Sequence, residues 1–144
     1  TKKVDRPGMK PRVITREFAK LSAGQQQSVI LALVLLSKST APLIIDQPED
    51  NLDGEFIYST LVDAIRRAKE RRQIIVATHN ANVAVLGDGE QILALKAVSD
   101  KGTVVDQGSI DQEQIRNLSC EVLEGSLEAF ARRADIYGYI SPSE

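Results

Sequence analysis

Apolar and polar residues alternate between a few sharply different patterns along the chain. Thr1–Pro11 is polar and contains Pro7-Gly8 and Pro11, the composition of a linker or loosely held arm. Arg12–Thr15 could form a short strand. Ser22, with Gln25 three residues later, has capping-box form, and the apolar run Val29–Leu36 follows it. That run is apolar all round, which predicts a helix buried on most sides. Ser37–Pro42 closes it with a polar turn.

Leu43-Ile44-Ile45 predicts a short buried strand, ended by Pro48, with turn chemistry over Asp50–Gly54. Phe56, Leu61, Ala64 and Ile65 recur near helical spacing, and Arg66–Arg72 forms the charged end of that helix. Gln73–Thr78 is a second continuous apolar strand. Such strands usually lie in a parallel sheet covered on both faces, here joined by the intervening helix as a βαβ unit. A short helical or loop segment to Leu86 precedes Gly87-Asp88-Gly89. Gln91–Val98 and Thr103–Val105 predict a hairpin turning at Asp100-Lys101-Gly102. Ser109 and Asp111 are candidate N-caps of a helix to about Glu124. Gly125 interrupts it, and Ser126–Ile136 forms a last helical segment.

Length changes this picture little, since 144 residues suit one domain or one lobe of a larger one. An apolar fraction of 42% supports a core, and a net charge of −2 excludes a chain that is basic throughout. The longest apolar run is too short to span a bilayer, and no apolar leader follows Thr1. No membrane association is therefore expected, and a cytoplasmic location is. The lone Cys120 cannot form an internal disulfide and fits a reducing compartment. It reads best as a small apolar residue on a helix face. The absence of an initiator Met predicts an excised or processed chain.

Three segments carry candidate chemistry: Leu21-Ser22-Ala23-Gly24-Gln25, Leu43 to Asp53, and Ala77-Thr78-His79-Asn80. Asp46 follows a buried strand, so it is placed at the carboxyl edge where open α/β sheets bind ligands. Locally it could instead cap a turn. Ser22 and the backbone at a helix N-terminus can hold an anion, and Gly24 permits close approach; an ordinary capping box is the plainer alternative. Asp53 suits an N-cap. His79 is the only histidine and follows a strand directly; with no second His and a distant Cys, metal ligation is not expected. Arg66, Arg67, Lys69, Arg71 and Arg72 could meet nucleic acid, but favourable charge at a helix C-terminus is the simpler explanation.

In order and spacing these segments resemble the signature loop, Walker B strand, D-loop and switch histidine of ABC-type ATPases. No G-x-x-x-x-G-K-[ST] phosphate loop occurs in the chain. The resemblance covers roughly Phe18 to Tyr137. It implies an α/β fold: the C-terminal lobe of a P-loop NTPase, with parallel core strands flanked by helices, plus a hairpin and C-terminal helices. The expected organisation is an arm over 1–17, the lobe over 18–137 and a tail over 138–144.

The resemblance also implies ATP and Mg²⁺ as cofactors, with Asp46 holding the metal through water. Ser22, Ala23, Gly24 and Gln25 would contact the nucleotide in trans, Ala23 standing where the family usually has Gly. Asn51 and Asp53 would lie at a dimer interface, and His79 would sense the γ-phosphate. Gln47 occupies the place of the usual catalytic Glu, and an amide cannot act as a general base. Four explanations stay open: Glu49 assumes the role, hydrolysis is slow and ATP acts as a clamp, Gln47 orients water without taking its proton, or the residue is an engineered change.

The wording Asp-Gln-Pro-Glu-Asp-Asn-Leu-Asp is similar to bacterial SMC/RecF-related ATPases, including those fused to PHP-type or nuclease domains. Implied partners are a Walker A lobe of the same protein, a head-to-tail second copy, and DNA, RNA or an attached nuclease domain. The alternatives are the signature lobe of a transporter ATPase and a non-hydrolysing, ATP-dependent dimerisation module.

Overall fold

The computed structural model describes residues 15–139. All but Thr15 of the expected strand over Arg12–Thr15, most of the N-terminal arm and the last five residues lie outside the described residues. A 3₁₀ turn, Phe18–Lys20, leads into α1, Ala23–Leu36. Strand β1, Leu43–Asp46, follows. The next helical stretch runs as α2, Gly54–Phe56, a π segment Ile57–Leu61, and α3, Val62–Lys69. Strand β2, Ile74–Ala77, pairs parallel with β1 in the register Leu43 to Ile74 through Asp46 to Ala77. Helix α4 is Ala81–Leu86. Strands β3, Ile92–Val98, and β4, Lys101–Gly108, form an antiparallel hairpin, and α5, Glu113–Glu124, and α6, Leu127–Ile136, complete the fold. This is an α/β architecture with parallel strands flanked by helices.

One core explains the arrangement. Leu35 of α1, Ile57 and Leu61 of the π segment, Ile65 and Ala68 of α3 and Val83 of α4 are buried together. The inward residues of the strands, Leu43, Ile45, Ile74 and Val76, pack on them. In a strand successive side chains point to opposite faces, so Ile44 and Ile75 must point the other way.

Four expectations need correction. First, α1 is not buried on most sides. Leu35 is 1% exposed, but Leu33 is 68% exposed, and Ile30 and Leu36 are also open. Second, the parallel strands are covered on one face only, since Ile44 is 75% and Ile75 49% exposed. The physical reason is the same for both. The sheet containing β1 has two strands, and the described elements supply no second layer on that side. Third, the helix over 113–124 is N-capped by Gln112, without a side-chain bond. Ser109 and Asp111 satisfy each other one turn earlier, the Ser109 hydroxyl donating to Asp111 at 3.2 Å and accepting the Asp111 N–H at 3.2 Å. Fourth, the hairpin turns at Ser99-Asp100, one residue earlier than the glycine suggests. Ser99 takes the left-handed conformation there (φ 56°), and β4 begins at Lys101.

The C-terminus of α3 is braced rather than free. Lys69 is paired with Asp88 (2.8 Å) and Glu90 (2.9 Å), and its ammonium also donates to the Asp88 carbonyl. The hydrogen bond to Asp88 raises the Lys69 pKa, and hydrogen bonds from Lys69 lower those of Asp88 and Glu90. Arg71 and Arg72 donate to the carbonyls of Leu35 (3.1 Å) and Val34 (2.6 Å), capping the end of α1. Three of the five basic residues in this cluster therefore have structural employment, as favourable charge at helix ends.

Candidate active site

The site is built where β1 and β2 end. Parallel pairing brings both carboxyl termini to one edge, so Asp46 and the residues after Ala77 are neighbours. Asp46 is exposed there. Gln47 continues the ladder by donating its N–H to the Ala77 carbonyl at 2.8 Å, while its φ of 43° turns the chain sharply away. Asn51, with φ 59°, turns it again four residues later. Two non-glycine residues in the left-handed region within five positions store backbone strain, which accumulates at functional sites. Between them Pro48 is fully buried and holds the turn against the core.

This turn places Gln47 beside His79. The Gln47 amide nitrogen lies 3.4 Å from His79 Nδ1, and Glu49 Oε1 lies 3.2 Å from that same nitrogen. Nδ1 carries either a proton or a lone pair. With the lone pair it accepts from Gln47; with the proton it donates to Glu49. Both Gln47 and His79 are exposed, whereas Glu49 is 6% exposed. Its Oε1 accepts the Thr78 hydroxyl at 2.6 Å and the His79 N–H at 3.0 Å. Thr78 Oγ1 in turn accepts the Asn80 N–H at 3.0 Å, and Asn80 caps α4 through Asn82 N–H.

The signature-like loop is joined to the same turn. Ser22 and Gln25 form the expected reciprocal capping box, with bonds of 3.2 and 3.3 Å. Gly24 faces the Asn51 carbonyl so closely that a Cβ would collide with that oxygen. Gln27, one turn along α1, lies 3.5 Å from both the Asn51 amide and the Pro48 carbonyl. Asp53 accepts the Phe56 N–H at 2.8 Å as N-cap of α2, so its carboxylate is engaged locally. Ala23 and Asp46 line the same shallow, mostly apolar groove between α1 and β1, together with Ile30, Val34 and Ile44.

The structure thus assembles Asp46, Gln47, Glu49 and His79 at one edge. It attaches Gly24 to Asn51 beside that edge, while the side chains of Ser22, Gln25 and Asp53 serve helix ends. Sequence reasoning assigned no part to Thr78 or Gln27. Thr78 could have been noticed as the hydroxyl directly after an apolar strand, whereas one of three successive glutamines gives no signal. Among the described residues, no group of three or more His, Cys, Asp or Glu could enclose a metal. A single exposed carboxylate nevertheless suits Mg²⁺, which keeps several waters and is commonly bound by one or two carboxylates plus substrate phosphates.

Residues 12–85, just over half of the chain, match the family described as "AAA domain, putative AbiEii toxin, Type IV TA system". The chain belongs to this AAA-type P-loop ATPase family. Its ABC-type relatives include the zinc import ATP-binding protein ZnuC of Cereibacter sphaeroides, 32% identical over 95 residues, or 65% of this chain and 38% of that protein. The energy-coupling factor transporter ATP-binding protein EcfA2 of Bacillus cereus is 30% identical over 112 residues, 77% of this chain and 36% of that one. The chain therefore spans little more than a third of the length of these relatives. A structure from a study of ATP-driven dimerization and DNA stimulated activation of SMC ATPases shares the fold. It aligns with a TM-score of 0.51 and 20% identity, covering 76% of this chain and 68% of that one. The family match ends at Val85, within α4, so the hairpin, α5 and α6 of this AAA-type lobe lie beyond it.

Proposed function

We propose that this lobe supplies one half of an SMC/RecF-like ATP site and is completed by a Walker A lobe, with ATP hydrolysis as its reaction. The observation that carries the reading is the juxtaposition of exposed Gln47 and His79 beside Asp46 at the carboxyl edge of two parallel strands. In this reading Asp46 would hold Mg²⁺ through water, and the metal would supply charge neutralisation for the phosphates. Gln47 orients the attacking water with its amide, and His79 meets the γ-phosphate. Phosphoryl transfer asks mainly for positioning and charge stabilisation, so an amide at position 47 is compatible with turnover without a strong base.

The uncovered flank of α1, β1 and β2 supports a second lobe. Ile30, Leu33 and Leu36 on α1 and Ile44 and Ile75 on the strands are all exposed apolar side chains that a second lobe could cover. Two heads would pair head-to-tail, so that Ser22, Ala23, Gly24 and Gln25 face nucleotide held by the partner, with Asn51 and Asp53 near the interface. The subfamily reading adds a PHP-type or nuclease domain and action on DNA or RNA. No helix among the described residues is long and apolar enough to cross a membrane, and we place the protein in the cytoplasm.

Calorimetry with Mg-ATP tests the half-site. The isolated lobe should bind weakly and the full-length protein at least about tenfold more tightly, with Asp46→Asn lowering turnover there by about a hundredfold or more. Tight binding by the lobe alone would defeat the proposal. A second reading, the signature lobe of a transporter ATPase, is favoured by the transport proteins among the relatives. Stimulation of turnover by DNA in the full-length protein would separate the two.

A further inference from the structure

We infer that Glu49 is a positioning residue, a buried acceptor that fastens the backbone of His79 to the turn after β1, and is not the group that handles the water. The inference rests on the ATPase reading for its kinetic consequence, but its geometry stands independently. The Glu49 side chain is almost wholly buried, while Gln47 and His79 on either side are exposed. A group that exchanges protons with an attacking water must reach that water. Glu49 Oε1 is instead surrounded by groups from the end of β2: it accepts from the Thr78 hydroxyl and the His79 N–H, and His79 Nδ1 lies 3.2 Å away. Oε2 is buried and has no partner among the described residues.

The backbone around Glu49 is equally fixed. The Leu52 N–H donates to the Glu49 carbonyl at 3.1 Å, and the Asp50 N–H donates to the Gln47 carbonyl at 3.2 Å. Asp46, Gln47 and Asn51 belong to this turn, and Thr78 and His79 belong to the end of β2. One carboxylate oxygen connects the two. Carrying a charge into a buried place is costly unless it is well bonded. At Oε1 that cost is offset by donors which come from the residues whose placement the site requires.

The distinguishing property is that an amide oxygen can accept hydrogen bonds but cannot take a proton. In the full-length protein, Glu49→Gln should keep the His79 amide protected from hydrogen exchange and retain turnover within about threefold. Glu49→Ala should expose that amide and lower kcat about tenfold or more, with KM for ATP changed less than about twofold. Thr78→Val, nearly isosteric but without the hydroxyl that donates to Glu49 and accepts the Asn80 N–H, should fall between them and guards against misfolding of the alanine variant. Equal inactivity of Glu49→Gln and Glu49→Ala, with His79 protected in both, would overturn the inference and make Glu49 a proton acceptor. Unchanged protection of His79 in Glu49→Ala would overturn it as well. If the wild-type protein neither binds nor hydrolyses ATP, the ATPase reading fails, and hydrogen exchange alone decides the position of Glu49.

Discussion

Helices α1 and α3 meet in one core, yet their outer faces are opposite in character. Outside its buried stripe of Val62, Ile65 and Ala68, α3 presents Asp63, Arg66 and Arg67 to water. Outside Leu35, α1 presents Ile30, Leu33 and Leu36. Water is an adequate neighbour for the first helix and a poor one for the second. The contrast separates what this lobe completes by itself from what it leaves for another surface.

The largest effect expected from breaking the comparison is in the shared core. Leu61→Ala should destabilise the isolated lobe by about 3 kcal/mol in denaturant unfolding, because it empties a fully buried site. Leu33→Ala should change the same measurement by less than about 0.5 kcal/mol, since its side chain is mostly exposed here. If Leu33→Ala cost as much as Leu61→Ala, the outer face of α1 would already be covered within the lobe. Gly24→Ala comes next. Relief of the clash with the Asn51 carbonyl should cost about 1–3 kcal/mol and disturb the turn that carries Gln47.

Arg72→Ala should cost about 1–2 kcal/mol by thermal unfolding, as the Val34 carbonyl loses its charged donor. The smallest effect concerns Lys69. The carboxyls of Asp88 and Glu90 are held low by its hydrogen bonds, so their stabilisation is present above their ordinary pKa values. It is lost as pH falls below about 4. Lys69 itself is raised, so its share persists to alkaline pH and is lost only above about 10.4. Lys69→Met should flatten the acid limb of a plot of unfolding midpoint against pH, and added salt should do the same in part.

Local chemistry was readable in the sequence wherever neighbouring residues decide the outcome. The Ser22–Gln25 box, the Asp53 cap, both parallel strands and Gly125 at the end of α5 (φ 89°) follow from short patterns. The Asp46, Gln47 and His79 neighbourhood was legible because strand ends in a parallel sheet converge. What one sequence window cannot express is which surface another element will cover. The uniform apolar run of α1 states only that something apolar belongs around it, not whether this lobe provides it. Glu49 was equally opaque: burial of its carboxylate depends on Thr78 and His79 arriving from the end of β2, about thirty residues away. Ser109 and Asp111 misled for the converse reason, being good caps that bond each other first.

The contact between Gly24 and the Asn51 carbonyl makes the two middle positions of the signature-like loop unequal in their freedom to drift. Ala23 is exposed at the mouth of the groove, so a methyl group there displaces nothing of the turn. The same methyl at position 24 would strike a carbonyl oxygen of the turn that carries the Asp46 edge. A protein of this kind can therefore exchange its first small residue at little cost, while a change at the second would be transmitted at once to the turn beside Gln47.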